Sequence, residues 1–139
     1  MKKFVFFIPL FLLYGCPQSI DVIPESKLIY RNETQVKIKG DYYYNNFSSE
    51  GFSLKEQDDS TYEFKGIIEL ERYLQKYDSV VVFYNDTISI THYKDTTLGG
   101  ASKSILIPAN WEIQKKTNNY VEYRYTFTEA DYQEAVRGN

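Results

Sequence analysis

Across 139 residues the chain has a single cysteine, Cys16, and a single histidine, His92. One thiol cannot build an intramolecular disulfide framework. One Cys with one His cannot supply the clustered ligands of a Cys- or His-rich metal site. No metal or cofactor is expected on these grounds. Basic charge is not in excess either, since 16 Lys and Arg stand against 19 Asp and Glu. Non-specific nucleic-acid binding needs a basic face, so no nucleic-acid partner is expected. Nowhere does an apolar run approach the roughly 20 residues that a membrane-spanning helix requires. The length suits one domain, not two.

What is present is concentrated first at the N-terminus. Lys2 and Lys3 precede the apolar run Phe4 to Tyr14, which is followed by Gly15 and Cys16. Eleven apolar residues suit the core of a signal peptide and are too few to cross a bilayer. The segment Leu13-Tyr14-Gly15-Cys16 resembles the lipobox of bacterial lipoproteins. Tyr14 stands where a small or β-branched residue is common in that motif. An ordinary secretory signal with a Cys placed by chance is the plainer alternative. The resemblance implies diacylglycerol attachment to the Cys16 sulfur, cleavage before Cys16, and acylation of the new N-terminus. Two or more chains hold a protein on a membrane stably, at about 0.8 kcal/mol per buried methylene. Pro17 follows Cys16, where the sorting scheme of enteric bacteria would place Asp for retention at the inner membrane. The resemblance therefore implies an outer-membrane location. Loss of residues 1–15 leaves 124 residues and removes Lys2 and Lys3, so the net charge moves from −3 to −5.

The expected organisation is a signal peptide over 1–15, the lipidated Cys16 and a Pro-containing tether over 16–26, and one β-rich domain over 27–139. From residue 16 onward Val, Ile and Thr total 27, against 4 Ala, 6 Leu and no Met. Thirteen Tyr and five Phe add to the strand bias. The clearest hairpin is Val80 to Tyr84, a two-residue Asn85-Asp86 link, and Thr87 to Thr91. In that register Phe83 faces Ile88 and Val81 faces Ile90 on one apolar face, with His92 following on the same side. Tyr84, Tyr93 and Tyr120 fall on the outward parity.

A second hairpin joins Trp111–Lys116 to Tyr120–Phe127 through Thr117-Asn118-Asn119. It sets Ile113 opposite Tyr123, Trp111 opposite Tyr125 and Glu112 opposite Arg124. Lys27–Arg31 and Thr34–Lys39 look like a strand pair. Phe52–Leu54 and Tyr62–Phe64 flank a polar turn over Glu56–Ser60. Ile67, Leu70, Leu74 and Tyr77 have helical spacing. Thr128 to Asp131 reads as a capping box that opens a final helix running through Val136. The pattern predicts a mainly β fold, an antiparallel sandwich or small barrel-like domain with one or two short helices. An α+β arrangement is the alternative.

Candidate chemistry is thin. His92 has no Ser or Asp at a spacing that implies a triad, so a strand-end residue satisfied by backbone is the expectation. Glu69 and Glu71 beside the expected helix, and Asp58-Asp59 in a turn, read as solvated charges. Gly99 to Ser104 lacks the glycines of a phosphate loop and reads as a flexible connection before a strand Ile105–Ile107. The run Tyr42-Tyr43-Tyr44 must place neighbours on opposite faces of a strand, so at least one is expected exposed. Exposed Tyr is a common platform for sugar rings and partner surfaces. Asp59-Ser60-Thr61, Asp78-Ser79-Val80, Asp86-Thr87-Ile88 and Asp95-Thr96-Thr97 resemble the O-glycosylation signal of exported Bacteroidota proteins. The implied acceptors are Ser60, Ser79, Thr87 and Thr96.

Lipobox and Tyr-rich β body together resemble the small β-rich envelope lipoproteins of Bacteroidota. The expected role is a membrane-anchored, non-enzymatic domain that binds a protein or a glycan. A glycan-acting hydrolase or carbohydrate-binding accessory, and a tethered immunity protein, are the alternatives.

Overall fold

The computed structural model describes residues 22–45 and 47–138. The lipobox, Cys16 and the tether up to residue 21 lie outside the described residues. The elements in chain order are β1 (Glu25–Asn32), β2 (Ile38–Tyr44), β3 (Phe47–Leu54), β4 (Asp59–Lys65), α1 (Leu70–Leu74), β5 (Ser79–Tyr84), β6 (Ile88–Tyr93), β7 (Glu112–Thr117), β8 (Tyr120–Phe127) and α2 (Glu129–Gly138). They form two four-stranded sheets, ordered β4-β1-β8-β7 and β3-β2-β5-β6. The result is the expected β sandwich with two short helices. Its pairings are antiparallel except one: β1 runs parallel to β8. The ordered strand Glu25–Asn32 begins inside the stretch expected as tether. Buried Ser26 ties it down there, donating to the Gly66 carbonyl at 2.7 Å and accepting from the Ile68 N–H at 2.8 Å.

Strands that follow one another across residues 33–37 and 55–58 do not pair; they change sheets. The expected pairing of Lys27–Arg31 with Thr34–Lys39 is therefore corrected. Asn32 causes the first crossing. Its buried amide donates to the Val36 and Lys55 carbonyls at 2.8 and 2.7 Å, and its Oδ1 accepts from the Thr34 N–H and hydroxyl. These bonds satisfy a backbone arch that a hairpin ladder would otherwise have to satisfy.

The β5–β6 register also differs from expectation. Asn85 and Asp86 both have positive φ, as a tight hairpin turn requires, but Thr87 joins the link. Pairing then begins Tyr84↔Ile88, with Val82↔Ile90 and Val80↔His92. One residue of slip turns a whole strand over. Val80, Val82 and Tyr84 are buried, and Val81 and Phe83 face outward. The third residue is fixed from outside the hairpin: Lys37 and Asn85 exchange hydrogen bonds of 3.0 and 3.1 Å.

In the β7–β8 hairpin the link shrinks to Asn118-Asn119, since Thr117 pairs with Tyr120. A bulge at Gln114 restores the expected pairs Ile113↔Tyr123 and Glu112↔Arg124.

Residues 105–107 form no strand. The segment is held by side chains: Trp111 Nε1 donates to the Ile105 carbonyl at 2.8 Å and the Tyr125 hydroxyl to the Lys103 carbonyl at 2.6 Å. Ala101, Ser104, Ile105 and Leu106 are buried, so the expected flexible connection packs against the body.

Aromatic rings fill the space between the sheets. Tyr30 stacks on Phe52 at 4.5 Å and meets Trp111 edge-on at 5.2 Å. Tyr125 and Phe127 sit 4.9 Å apart beside them. Gly40 and Gly51 make room for rings. A Cβ at Gly40 would enter the Phe52 ring, and one at Gly51 the Tyr42 ring. Helix α1 buries only Leu70 and Leu74; Ile67, expected on its apolar face, is exposed.

Candidate functional site

The tyrosine run divides by strand alternation. Tyr42 points inward and is buried, Tyr43 is half-buried, and Tyr44 is 54% exposed. The Tyr42 hydroxyl lies 2.6 Å from that of Tyr30 across the sandwich. Burial pushes both phenols well above the usual tyrosine range. Tyr42 is thus a core residue and not a platform, which corrects its assignment to a binding surface. Tyr84, expected outward, is also buried, because of the register slip described above. Around the Tyr30–Tyr42 pair is a cavity of about 140 Å³ walled by Tyr62, Tyr73 and Tyr77 as well. Tyr62 donates to the Gly51 carbonyl at the β2–β3 bulge at 2.5 Å, and Tyr77 to the Tyr73 hydroxyl at 3.5 Å.

Outside this cluster the rings reach solvent. Tyr44 pairs with Phe47 across the β2–β3 turn, and Phe47 is 78% exposed. Together with Ser48, Ser49, Lys76 and Tyr77 they line an open groove of about 440 Å³. Sequence reasoning missed Phe47. The signal was available in the sequence: Asn-Asn after Tyr44 is a turn signal, and a hairpin there would set Phe47 opposite Tyr44, as the pairing does.

A second groove, of about 560 Å³, runs between α1 and the β7–β8 hairpin. Trp111, Ile113 and Tyr123 form one wall; Glu69, Glu71, Arg72 and Gln75 form the other. Trp111 is buried and fixed by its indole N–H, while Ile113 is open to solvent. Of the four carboxylates named in the sequence, Glu69 and Glu71 are both on this groove and Asp58 and Asp59 are not. Glu69 pairs with Arg72 at 3.5 Å, and Glu71 accepts from the Gln75 amide at 3.2 Å.

His92 is buried on the core side, as its parity predicts. Its Nδ1 accepts the Ile105 N–H at 3.1 Å. Burial, aided by the Lys103 charge, lowers its pKa to about 3, so the ring is neutral at physiological pH. Its Nε2 and the Tyr84 hydroxyl are buried without a hydrogen-bond partner among the described residues.

Of the glycosylation-like acceptors, Thr87 and Thr96 are exposed on turns, whereas Ser60 and Ser79 are half-buried in strands. Asp59 pairs with Arg31 at 3.3 Å. Among the described residues no group of His, Cys, Asp or Glu is arranged to hold a metal ion, and no helix is long and apolar enough to cross a membrane. Comparison with protein-family models, with curated proteins and with solved structures found no match to this chain.

Proposed function

We propose that the protein is a lipoprotein of the bacterial envelope, held at the outer membrane by acylated Cys16, and that its sandwich acts by binding a glycan. The anchor rests on the order of basic start, apolar core, Gly15 and Cys16. The ligand class rests on one observation, the groove between α1 and the β7–β8 hairpin. One wall is apolar and aromatic, with Tyr123 and Ile113 reachable from solvent. The other presents carboxylates, a guanidinium and an amide. A sugar ring offers an apolar face surrounded by hydroxyls, and such a groove can stack the first and hydrogen-bond the second.

The test uses the full chain purified in detergent. Its N-terminal mass should show a lipidated Cys16, and any other mature N-terminus sinks the anchor. On a glycan array it should retain a defined subset of glycans. Tyr123→Ala should weaken that retention about tenfold, equivalent to roughly 1.4 kcal/mol. Equal retention by Tyr123→Ala, or none by either form, would overturn the glycan reading. Capture of a single protein partner in its place would move the ligand to the other class.

A further inference from the structure

The chain enters the sandwich at one end, and that end carries most of the exposed apolar side chains. Pro24 accepts the Gly66 N–H at 2.6 Å, and the Glu25 N–H donates to Asn119 in the β7–β8 turn at 2.9 Å. Entry is therefore beside the end of β4 and the β7–β8 turn. Strand direction brings the β2–β3 turn to the same end. β1 leads through the short arch at residues 33–37 into β2, which runs back and finishes at Tyr44.

Eight large apolar residues are exposed among the described ones, and five belong here: Val22 (60%), Ile23 (62%), Tyr44 (54%), Phe47 (78%) and Ile67 (47%). Val22 and Ile23 lie on the entering chain just before Pro24, which bonds Gly66, and the other three are linked through Lys76. Ile67 follows Gly66 and shares a groove of about 220 Å³ with Lys76; Lys76 in turn lines the Tyr44–Phe47 groove. Elsewhere Ile113 belongs to the α1 groove, and Leu98 lines a separate groove with Arg137.

The position of this surface relative to Cys16 decides what covers it. Only five residues separate Cys16 from Val22. Six peptide steps reach about 20 Å at most, even fully extended. A lipidated Cys16 would lie at headgroup level, so the end of the sandwich that carries Val22 and Ile23 cannot stand far from the bilayer. We propose that this end rests on the membrane, with Phe47, Tyr44, Ile67, Val22 and Ile23 in the interfacial layer and Lys76 reaching the phosphates. This rests on the lipid-anchor reading and adds an orientation to it. Aromatic rings and long cationic side chains are suited to that layer, because one end of each is apolar and the other polar. The mature chain is acidic overall, so apolar burial and not a general basic attraction supplies the contact.

A single label tests the orientation. Lipid on Cys16 blocks the chain's one native thiol, which leaves an introduced cysteine as the only reactive one. Ser48→Cys lies beside Phe47, and Thr87→Cys lies on the β5–β6 turn at the far end of the sandwich. Each lipidated full chain is labelled with an environment-sensitive fluorophore. It is then reconstituted in phosphatidylethanolamine–phosphatidylglycerol vesicles that contain headgroup-level quencher lipid. Quenching at position 48 should exceed that at position 87 severalfold. The difference should shrink in a Tyr44→Ser, Phe47→Ser background that still floats with the vesicles and keeps the wild-type circular dichroism. A chain that floats but shows equal quenching at both sites overturns the docking and leaves the anchor intact. A chain with no lipid mass on Cys16 that fails to float overturns both.

Discussion

His92 is the one imidazole in the chain, which makes its chemistry measurable without assignment. Its Nδ1 accepts a backbone hydrogen bond from Ile105, so the neutral ring carries its proton on Nε2. Its environment is apolar, with the Tyr125 and Phe127 rings edge-on at 6.5 Å. Burial lowers the pKa from 6.5 to about 3. The unfolded chain therefore binds a proton that the folded chain refuses. Stability from this residue is fully present above pH 6.5 and is lost as the pH falls from there toward 3, by on the order of 4 kcal/mol. The imidazole nitrogen resonances should stay those of a neutral ring down to pH 5 while the fold persists. The urea midpoint should fall between pH 7 and pH 4, and the fall should be smaller in His92→Phe. Titration of the ring near 6.5 in the folded protein would refute the burial described here.

At the scale of single elements, α2 is the one most directly tied to its sequence. Thr128 and Asp131 form one half of the capping box expected of them, and the Asp131 N–H donates to the Thr128 carbonyl at 3.1 Å instead of to its hydroxyl. The Asp131 carboxylate accepts from the Thr128 N–H at 2.7 Å and from its hydroxyl at 2.8 Å. Asp takes the place more often held by Glu or Gln. Thr128→Ala should cost about 1 kcal/mol in equilibrium unfolding, because it removes the hydroxyl that donates to the Asp131 carboxylate and helps hold it over the helix start. Thr128→Ser should recover most of that.

Legibility declines as partners become more distant. The cap joins residues three apart, and the Ile113↔Tyr123 pair spans one hairpin; both could be read from local pattern. The β5–β6 register could not, because Lys37 from the distant β1–β2 arch helps set its turn. Nor could the arch after β1. Lys27–Arg31 followed by Thr34–Lys39 has the spacing of a hairpin, and the bonds that divert it include distant ones, from Asn32 to Lys55 and from Gln57 to the Glu33 carbonyl. The candidate site shows the same gradient. Alternation separated Tyr42 from Tyr43 but could not say which faced inward. Glu69 and Glu71 were visible, whereas the Trp111–Tyr123 wall opposite them depends on tertiary packing.

For the whole molecule, the β4-β1-β8-β7 sheet sets the terms. Its two central strands are β1 and β8, and 87 residues lie between them. β8 pairs with its neighbour β7 on one side, but β1 has no near neighbour to satisfy it, because it holds β4 on one side and β8 on the other. A chain cut before Tyr120 should lack one full side of β1's ladder. It should also lose Tyr125 and Phe127 from the core. It is expected to show no cooperative thermal transition and to be digested rapidly by protease. A truncated chain with a sharp transition would mean that the remaining strands close a core without β8.

That parallel pair also governs timing. Among the described elements β1 is the first to emerge from a ribosome, and its partner β8 is the last strand to do so. Loop closure over so long a separation is slow, so topology alone delays folding. Under the lipid-anchor proposal the chain crosses a membrane as an unfolded thread, and such a delay would serve it. β1 would then be unable to complete its sheet until β8, 87 residues on, had also passed through.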